Sequence, residues 1–259
     1  MKRTLCTILC LSLLMPGAKV LAKEESYNLT SNYLVGESRL ESASQDELLE
    51  IMLDEELSDS LKKKAEEQYI QVAEEELEAE CRANSARVGY QIKNYKSTVV
   101  DLFKDRRGKY KTMITAGTEV SKTYDISFKI AAGGILDGYT LEAGLNCSGS
   151  TTIKGPDFNT KLPGSTRNAT HSMVIGVLRS AITHVTYDEY DASTGNFVAH
   201  VDRYVATGQT VVMYNLLVSD SGSSFFVGHC TLDKSKNFGS LSAYRNILES
   251  SDVKQAYSW

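Results

Sequence analysis

Two histidines and an aspartate have the residue types and spacing best suited to chemistry. His200 and Asp202 are separated by one residue, so a β-strand places both side chains on the same face. A preceding antiparallel strand with Val185 opposite Val201 would put His184 across from Asp202 as a third member. Imidazole and carboxylate groups can hold zinc or act as a general base. His184, His200 and Asp202 are therefore a candidate polar or metal cluster, or a hydrolase face, but the default interpretation is a solvated His/Asp face.

Three cysteines follow residue 22, at positions 81, 147 and 230. Cys147 and Cys230 lie in segments with strand-like alternation, whereas Cys81 ends a charged helical segment. The sequence therefore predicts a disulfide between Cys147 and Cys230, with Cys81 left as a thiol or linking two chains. Buried thiols without a bridge are the alternative. His229 adjoins Cys230, but neighbouring strand residues point to opposite faces, so we do not expect it to activate a Cys230 nucleophile.

The densest basic run spans residues 104–111 and lies at a predicted hairpin turn. It supplies four candidate contact residues for an anionic partner: Lys104, Arg106, Arg107 and Lys109. The alternatives are a solvated loop and a dock for the acidic helix described below. The sequence has no nucleophile elbow, zinc-protease helix or phosphate-binding loop. We therefore assign no catalytic residue and no cofactor, and expect no nucleic-acid partner.

The first 22 residues have the order of a secretory signal peptide. Lys2 and Arg3 precede an apolar run over residues 5–15, and Val20 and Ala22 stand just before the expected cleavage after residue 22. That run is too short for a bilayer span, which needs about 20 residues, and no later run approaches this length. The sequence therefore predicts a secreted protein with no integral membrane segment after cleavage.

An acidic helical segment is predicted over residues 44–84, after a flexible leader at 23–43. Ser44 and Glu47 form a capping box at its start. Apolar residues then recur at four-residue steps: Leu49, Leu53, Leu57, Leu61, Ala65, Tyr69, Ala73 and Leu77. This stripe predicts an amphipathic segment, either one long helix or a hairpin of two helices over about 44–57 and 60–81.

The charge is divided unevenly along the chain. Residues 23–82 carry 18 acidic and 6 basic side chains, a net charge of −12, whereas residues 83–259 carry 15 acidic and 19 basic, a net charge of +4. An isolated amphipathic helix cannot bury its apolar stripe. We therefore expect the helix to dock on the rest of the chain, with the basic run 104–111 near acidic residues 74–80. Self-association through the helix or Cys81 is the alternative.

Residues 85–259 alternate at period two between closely spaced turn residues, which is typical of antiparallel strands. The nearly continuous apolar run at 173–178 favours a central strand. The predicted fold class is mainly β, an antiparallel β-sandwich preceded by an N-terminal acidic α-helical segment.

The leading functional hypothesis is a secreted, non-enzymatic binding or surface-interaction protein whose partner is an extracellular protein or glycan. It rests on the signal peptide, the β domain and the missing catalytic motif. An exported hydrolase using His184, His200 and Asp202 is the first alternative. A secreted inhibitor or toxin-like protein, recognised through the basic loop, is the second.

Overall fold

The structure of the chain is a computed structural model that describes residues 40–53, 57–235, 241–243 and 245–248. The predicted signal peptide, residues 1–22, and residues 23–39 of the predicted leader lie outside the described residues. The side chains of Leu49 and Leu53 also lie outside them. Predictions about these parts of the chain stay predictions.

The acidic segment forms two helices, α1 (Gln45–Leu53) and α2 (Asp59–Arg87). The predicted capping box precedes α1, because the Ser44 amide donates to Glu47 Oε2 at 2.8 Å and the Glu47 amide to Ser44 Oγ at 3.3 Å. Ser58 caps α2, where its side chain accepts a first-turn amide at 3.3 Å. Each cap satisfies amides that have no partner inside the helix. Of the two predicted alternatives, the pair of helices is the one that forms.

Nine strands follow in the described part of the chain, and a 3₁₀ turn (Leu241–Ala243) and the short helix α3 (Arg245–Leu248) come after them. The strands are β1 (Tyr90–Thr115), β2 (Lys122–Ile130), β3 (Ile135–Leu136), β4 (Tyr139–Thr140), β5 (Leu145–Ile153), β6 (His171–Asp191), β7 (Phe197–Asp220), β8 (Ser224–Val227) and β9 (Cys230–Asp233).

All of these strands pair antiparallel. One sheet has five strands in the order β1-β6-β7-β8-β9, and two smaller sheets pair β2 with β5 and β3 with β4. Strand β6 therefore lies between the two other long strands, β1 and β7. The mainly β, antiparallel fold with an N-terminal acidic helical segment is confirmed.

Residues 171–182 of β6 and 206–218 of β7 form what we call the covered end of the large sheet. The β2–β5 sheet packs on one face, through Ile126, Phe128, Leu145 and Cys147 against Val174, Leu178, Ile182 and Val211. Strands β8 and β9 and helix α3 pack on the other, in a cluster with Met173, Ile175, Val177, Val212, Tyr214, Leu216, Phe225, Leu232 and Ile247. Because both faces are covered, residues 172–178 of β6 are all buried, as expected for a central strand.

Residues 183–191 of β6 and 197–205 of β7 continue beyond the covered end as an arm, edged by residues 90–99 of β1. Helix α2 packs on one face of the arm, where its Leu77 and Cys81 join a cluster with Ile92, Ala143, Val185, Tyr187 and Val205. Alternate side chains point to the opposite face, which we call the open face. They are half-buried or exposed: His184, Thr186, Asp188, Tyr190, His200, Asp202 and Tyr204.

The apolar stripe of α2 is buried at the predicted four-residue steps and extends two steps further, over Ala65, Tyr69, Ala73, Leu77, Cys81 and Ser85. Four residues turn about 400°, so the stripe rotates about 40° per step around a straight helix. Its first part therefore contacts α1 and Phe103, and its later part contacts the arm. Docking within the same chain is confirmed. No helix among the described residues is both long and apolar enough to span a membrane.

Candidate functional site

The open face carries two histidine–carboxylate pairs. His184 Nε2 lies 2.8 Å from Asp202 Oδ1, and His200 Nδ1 lies 2.7 Å from Asp188 Oδ1. Asn94 on β1 also donates its Nδ2 to Asp188 Oδ2 at 2.7 Å. The hydrogen bonds from Asn94 and then His200 hold the pKa of Asp188 below its usual value. Each pair joins β6 to β7, and each carboxylate orients the imidazole that it binds.

The register of these strands differs by two residues from the expected one. Val185 lies opposite Arg203 rather than Val201. His200 consequently lies opposite Asp188. A shift of two residues keeps each side chain on its expected face, whereas a shift of one would have reversed the faces. The three candidate residues are therefore divided between two separate pairs, and no group of three metal-ligating side chains occurs among the residues that the structure describes.

The turn between β6 and β7 accompanies this shift. The Asp191 carboxylate accepts hydrogen bonds from the amides of Ser193 and Thr194 at 2.9 and 2.8 Å, and from both hydroxyls. These bonds, led by the Ser193 hydroxyl, lower the pKa of Asp191 to about 2. The ladder then has an irregularity at Tyr190, and such a bulge offsets the pairing beyond it. The turn was predictable from its residues, but the bulge was not.

Aromatic rings flank the two pairs. The Tyr204 ring lies between His184 and Tyr139, with centroid distances of 4.9 and 5.2 Å. At the tip of the arm, Tyr190 packs edge-on against Phe197 at 5.8 Å, and Phe197 is 58% exposed. Sequence reasoning gave these aromatic residues no role. The sequence signal that could have identified them is their spacing, because Tyr190 and Tyr204 share the even-numbered face with the histidines.

The opposite side of the arm is held by α2. Arg203 is buried there, with its Nη2 3.0 Å from Cys81 Sγ and its guanidinium 5.5 Å from the centre of the Tyr187 ring. Burial raises the pKa of the Cys81 thiol, and the nearby Arg203 charge only partly opposes this. Ser85 also donates its hydroxyl to Glu189 Oε1 at 2.8 Å. The open face therefore rests on strands that a helix supports from behind.

The basic run is not a loop, and that prediction was wrong. It lies inside β1, where register shifts interrupt the ladder just before Lys104 and again at Arg106. The Arg106 side chain is fully buried and bonds Asp101 and Asp137 at 2.8 Å each. Lys104 pairs with Asp101 at 2.9 Å. Arg106 therefore stabilises the fold and is closed to a partner.

The two other members of the predicted contact loop lie on the surface but bind within the chain. Arg107 Nη2 donates to the Ile135 carbonyl at 2.8 Å, and Lys109 Nζ to the Ser127 carbonyl at 3.3 Å. Both contacts join β1 to the smaller sheets. The basic run therefore connects the large sheet to the smaller sheets and does not form a contact loop.

The acidic residues of α2 have other partners than this run. Glu78 pairs with Arg82 at 2.6 Å on the same helix, and Glu76 accepts from Gln45 Nε2 of α1 at 2.5 Å. The predicted contact between residues 74–80 and the basic run is not seen among these pairs. Apolar packing, rather than charge, sets how α2 lies on the sheet.

The predicted Cys147–Cys230 disulfide is not present, and the described residues contain no disulfide. Cys147 points between the two layers of the covered end, whereas Cys230 begins β9. Burial raises the pKa of the Cys147 thiol to about 12. Strand-like alternation placed both cysteines in strands but could not show that the strands lie apart.

No protein-family model matches the sequence, and neither a curated protein nor a solved structure matches it.

Proposed function

We propose that this chain is an exported, non-enzymatic binding protein whose partner docks on the open face of the arm. One observation carries the proposal. Among the described residues, the same two strands are covered on both faces at one end, whereas on the arm α2 covers one face and Tyr139 contacts the other at Tyr204. The polar and aromatic side chains gathered on the remaining face support a role in binding, because the fold does not bury them.

The chemistry of this face favours a protein partner. Its side chains project from two neighbouring strands, β6 and β7, whereas a small molecule usually needs a concave pocket. Tyrosine rings beside paired polar groups are typical of protein interfaces. The two histidine–carboxylate pairs are already oriented by hydrogen bonds, so a partner would lose less side-chain entropy on binding them. A glycan is the alternative that the test below distinguishes.

A hydrolase using the same residues has less support. In the described part of the chain, the imidazoles of His184 and His200 each hydrogen-bond an aspartate, and neither bonds a serine, threonine or cysteine side chain. A base without a nucleophile beside it lacks the arrangement that nucleophilic hydrolysis uses. The geometry therefore favours binding over catalysis.

The binding test uses purified protein lacking residues 1–22, presented to an array of extracellular proteins and an array of glycans. Thr186→Arg places a bulky charge in the middle of the open face, where Thr186 is half-buried. Thr152→Arg makes the same change at an exposed position on β5. We expect Thr186→Arg to weaken binding at least tenfold, and Thr152→Arg to leave it unchanged.

Three outcomes would contradict the proposal. Equal binding by the two variants would remove the open face from the interface. Glycan hits alone would replace the protein partner. Hydrolysis of a peptide, ester or glycan panel that His200→Ala abolishes would establish an enzyme instead.

The export part of the proposal rests on the sequence of residues 1–22 and is tested separately. A reporter fused after residue 22 should leave the cell and lose the first 22 residues. The matched control replaces Leu9 and Leu11 with lysine, which interrupts the apolar run. Retention of both fusions in the cell would refute export.

A further inference from the structure

The outer edge of β7 on the arm has a geometry suited to a further strand. The Tyr204 carbonyl points away from β6, since it accepts the Glu142 amide at 3.1 Å. The amide and carbonyl of one strand residue point to the same side, and that side alternates along the strand. The backbone groups of Asp202 and His200 therefore also point away from β6.

In the described part of the chain, no other segment pairs with residues 200–202 along this edge. Leu141 makes an isolated parallel bridge with Tyr204. The chain then passes below the sheet, where Ala143 joins the cluster under α2. The side chains of Asp202 and His200 are 61% and 58% exposed. An amide and a carbonyl on each of these two residues are thus available to a neighbouring strand.

We propose that two copies of this chain pair antiparallel along this edge, about a two-fold axis at Val201. In that register, His200 of one copy faces Asp202 of the second copy, and the reverse contact is identical. A two-fold interface requires a surface that complements itself. A strand that carries a histidine and an aspartate on either side of the axis meets this requirement.

The charges extend across the proposed interface in a regular order. Within one copy, Asp188 binds His200, and His184 binds Asp202. Across the axis the row becomes Asp188 and His200 of one copy, followed by Asp202 and His184 of the second copy. Carboxylates and imidazoles alternate along this row, so like groups do not meet. The charge complementarity points to a second copy as the occupant of this edge.

The other long edge of the sheet is unsuited to such pairing. The ladder between β1 and β6 has five register shifts. Exposed lysines lie along β1, at positions 93, 96, 104, 109 and 111. Bulges and lysines are the usual protection of an edge against pairing. Residues 197–205 of β7 contain no lysine. The two edges thus differ, and in the part of the chain that the structure describes the edge of β7 is open to a partner strand.

The inference goes beyond the proposed function, because it concerns the edge of β7 and not what the open face binds. Pairing would join two arms into one sheet of six strands, in the order β1-β6-β7 followed by β7-β6-β1 of the second copy. The two open faces would then form one surface with both sets of histidine–carboxylate pairs.

Sedimentation velocity of the full chain lacking residues 1–22 tests the dimer, over about 10 μM to 1 mM protein. Asp202→Pro removes the outward amide without removing a bond to β6, and edge strands tolerate proline. Asp202→Thr is the matched control, because it also removes the charge but keeps the amide. We expect a concentration-dependent dimer for the wild type, and dimerisation at least tenfold weaker for Asp202→Pro than for Asp202→Thr.

A charge exchange tests the register even if the proline variant does not fold. Asp202→Lys should weaken the dimer, and adding His200→Asp should restore it by recreating opposite charges across the axis. Tyr190→Arg, at the tip of the open face and opposite Phe197 rather than His200 or Asp202, should weaken face binding but dimerise like the wild type, so failure of the dimer and failure of face binding are distinguishable. A wild type that stays monomeric, equal dimerisation of the proline and threonine variants, or no rescue by the double change would overturn the proposal.

Discussion

The two ends of the β6–β7 pair are built from the same strands but differ in what covers them. At the covered end, residues 172–178 are buried without interruption. On the arm, buried Val185 and Tyr187 alternate with half-buried His184 and Thr186. The ladder of β6 and β7 runs through both ends, so backbone pairing does not separate them. Among the described residues, the covered end has a layer on each face, whereas the arm has a layer on one face.

This comparison shows how one long hairpin can combine a buried core with an ordered polar surface. Where two layers cover the strands, each side chain must be apolar or internally paired, because burial of an unpaired polar group costs free energy. Where one layer covers them, alternate positions can carry histidine, aspartate and tyrosine without that cost. The arm therefore offers ordered polar groups on strands that the covered end and α2 hold in place.

The largest expected loss of stability comes from creating a cavity at the covered end. Val177 is fully buried, whereas Val198 on the arm is 38% exposed. Val177→Ala should lower the free energy of unfolding by about 3 kcal/mol, since packed layers on both sides cannot close the space. Val198→Ala, the same change on the arm, should stay within about 0.5 kcal/mol. Urea unfolding of both variants measures the difference, and equal losses would show that the two ends are packed alike.

A smaller effect is expected at the contact between α2 and the sheet. Gly208 has a φ of +59°, and a Cβ built there would lie 2.4 Å from Tyr69 Cε1. The Tyr69 hydroxyl also donates to the Gly208 carbonyl at 2.8 Å. Gly208→Ala should therefore cost about 2 kcal/mol or more of stability, from backbone strain and overpacking together.

Gly195→Ala is the matched control for that variant. Gly195 has a φ of +71° but no atom within 4 Å of a built Cβ, so it reports the backbone cost alone, about 1 kcal/mol. Thermal unfolding of both variants gives the difference. If Gly208→Ala and Gly195→Ala cost the same, Tyr69 moves aside freely and α2 is held less tightly than its contacts indicate.

The labelling rates of the two buried thiols can report how easily each end of the hairpin opens by local unfolding. Cys81 lies between α2 and the arm, whereas Cys147 lies between the two sheet layers. Detaching one helix exposes less apolar surface than separating two sheets, so local opening should be easier at Cys81. We expect a thiol reagent to label Cys81 at least tenfold faster than Cys147 under native conditions, a difference of about 1.4 kcal/mol. Mass spectrometry of peptides follows both rates, and equal rates would mean that both thiols become accessible only on global unfolding.

The smallest expected effect is a pH-dependent change in melting temperature that arises at the tip of the arm. The pKa of Asp191 is lowered to about 2 in the folded chain by hydrogen bonds from Ser193 and Thr194. A lowered folded-state pKa stabilises the fold above the usual value of 3.8, and this contribution is lost as the pH falls towards 2. Asp191→Asn keeps an acceptor oxygen but cannot ionise. Its melting temperature should therefore be below that of the wild type at about pH 6 and approach it between pH 4 and 2. A constant difference over that range would contradict the assigned hydrogen bonds.

Local features were predictable from the sequence because neighbouring residues create them. The capping box at Ser44 needs only Glu47 three residues later. The buried stripe of α2 follows from apolar residues at helical spacing. The central strand followed from its apolar run, since a strand covered on both faces cannot alternate. The face shared by His184, His200 and Asp202 followed from the period of two.

Contacts between distant segments were predicted less well. The observed register differs by two residues from the expected one, and the bulge beside Tyr190 accounts for one of them, so the expected cluster of three became two pairs. Arg106 is buried because Asp137, 31 residues away, lies beside it, and no local pattern indicates that neighbour. Cys147 and Cys230 are both in strands, but a disulfide needs their Cα atoms within about 7 Å. A strand-like sequence pattern does not show how far apart two strands lie.

By itself, the sequence determined the mainly β class, the helical segment, and which side chains share a face. Periodicity and capping act over a few residues, so a linear pattern is sufficient for them. Only the tertiary structure decided that one end of the hairpin is covered on both faces and the other on one. That outcome depends on where β2–β5, β8–β9 and α2 pack on β6 and β7, and packing between layers depends on shape and volume summed over residues far apart in the chain.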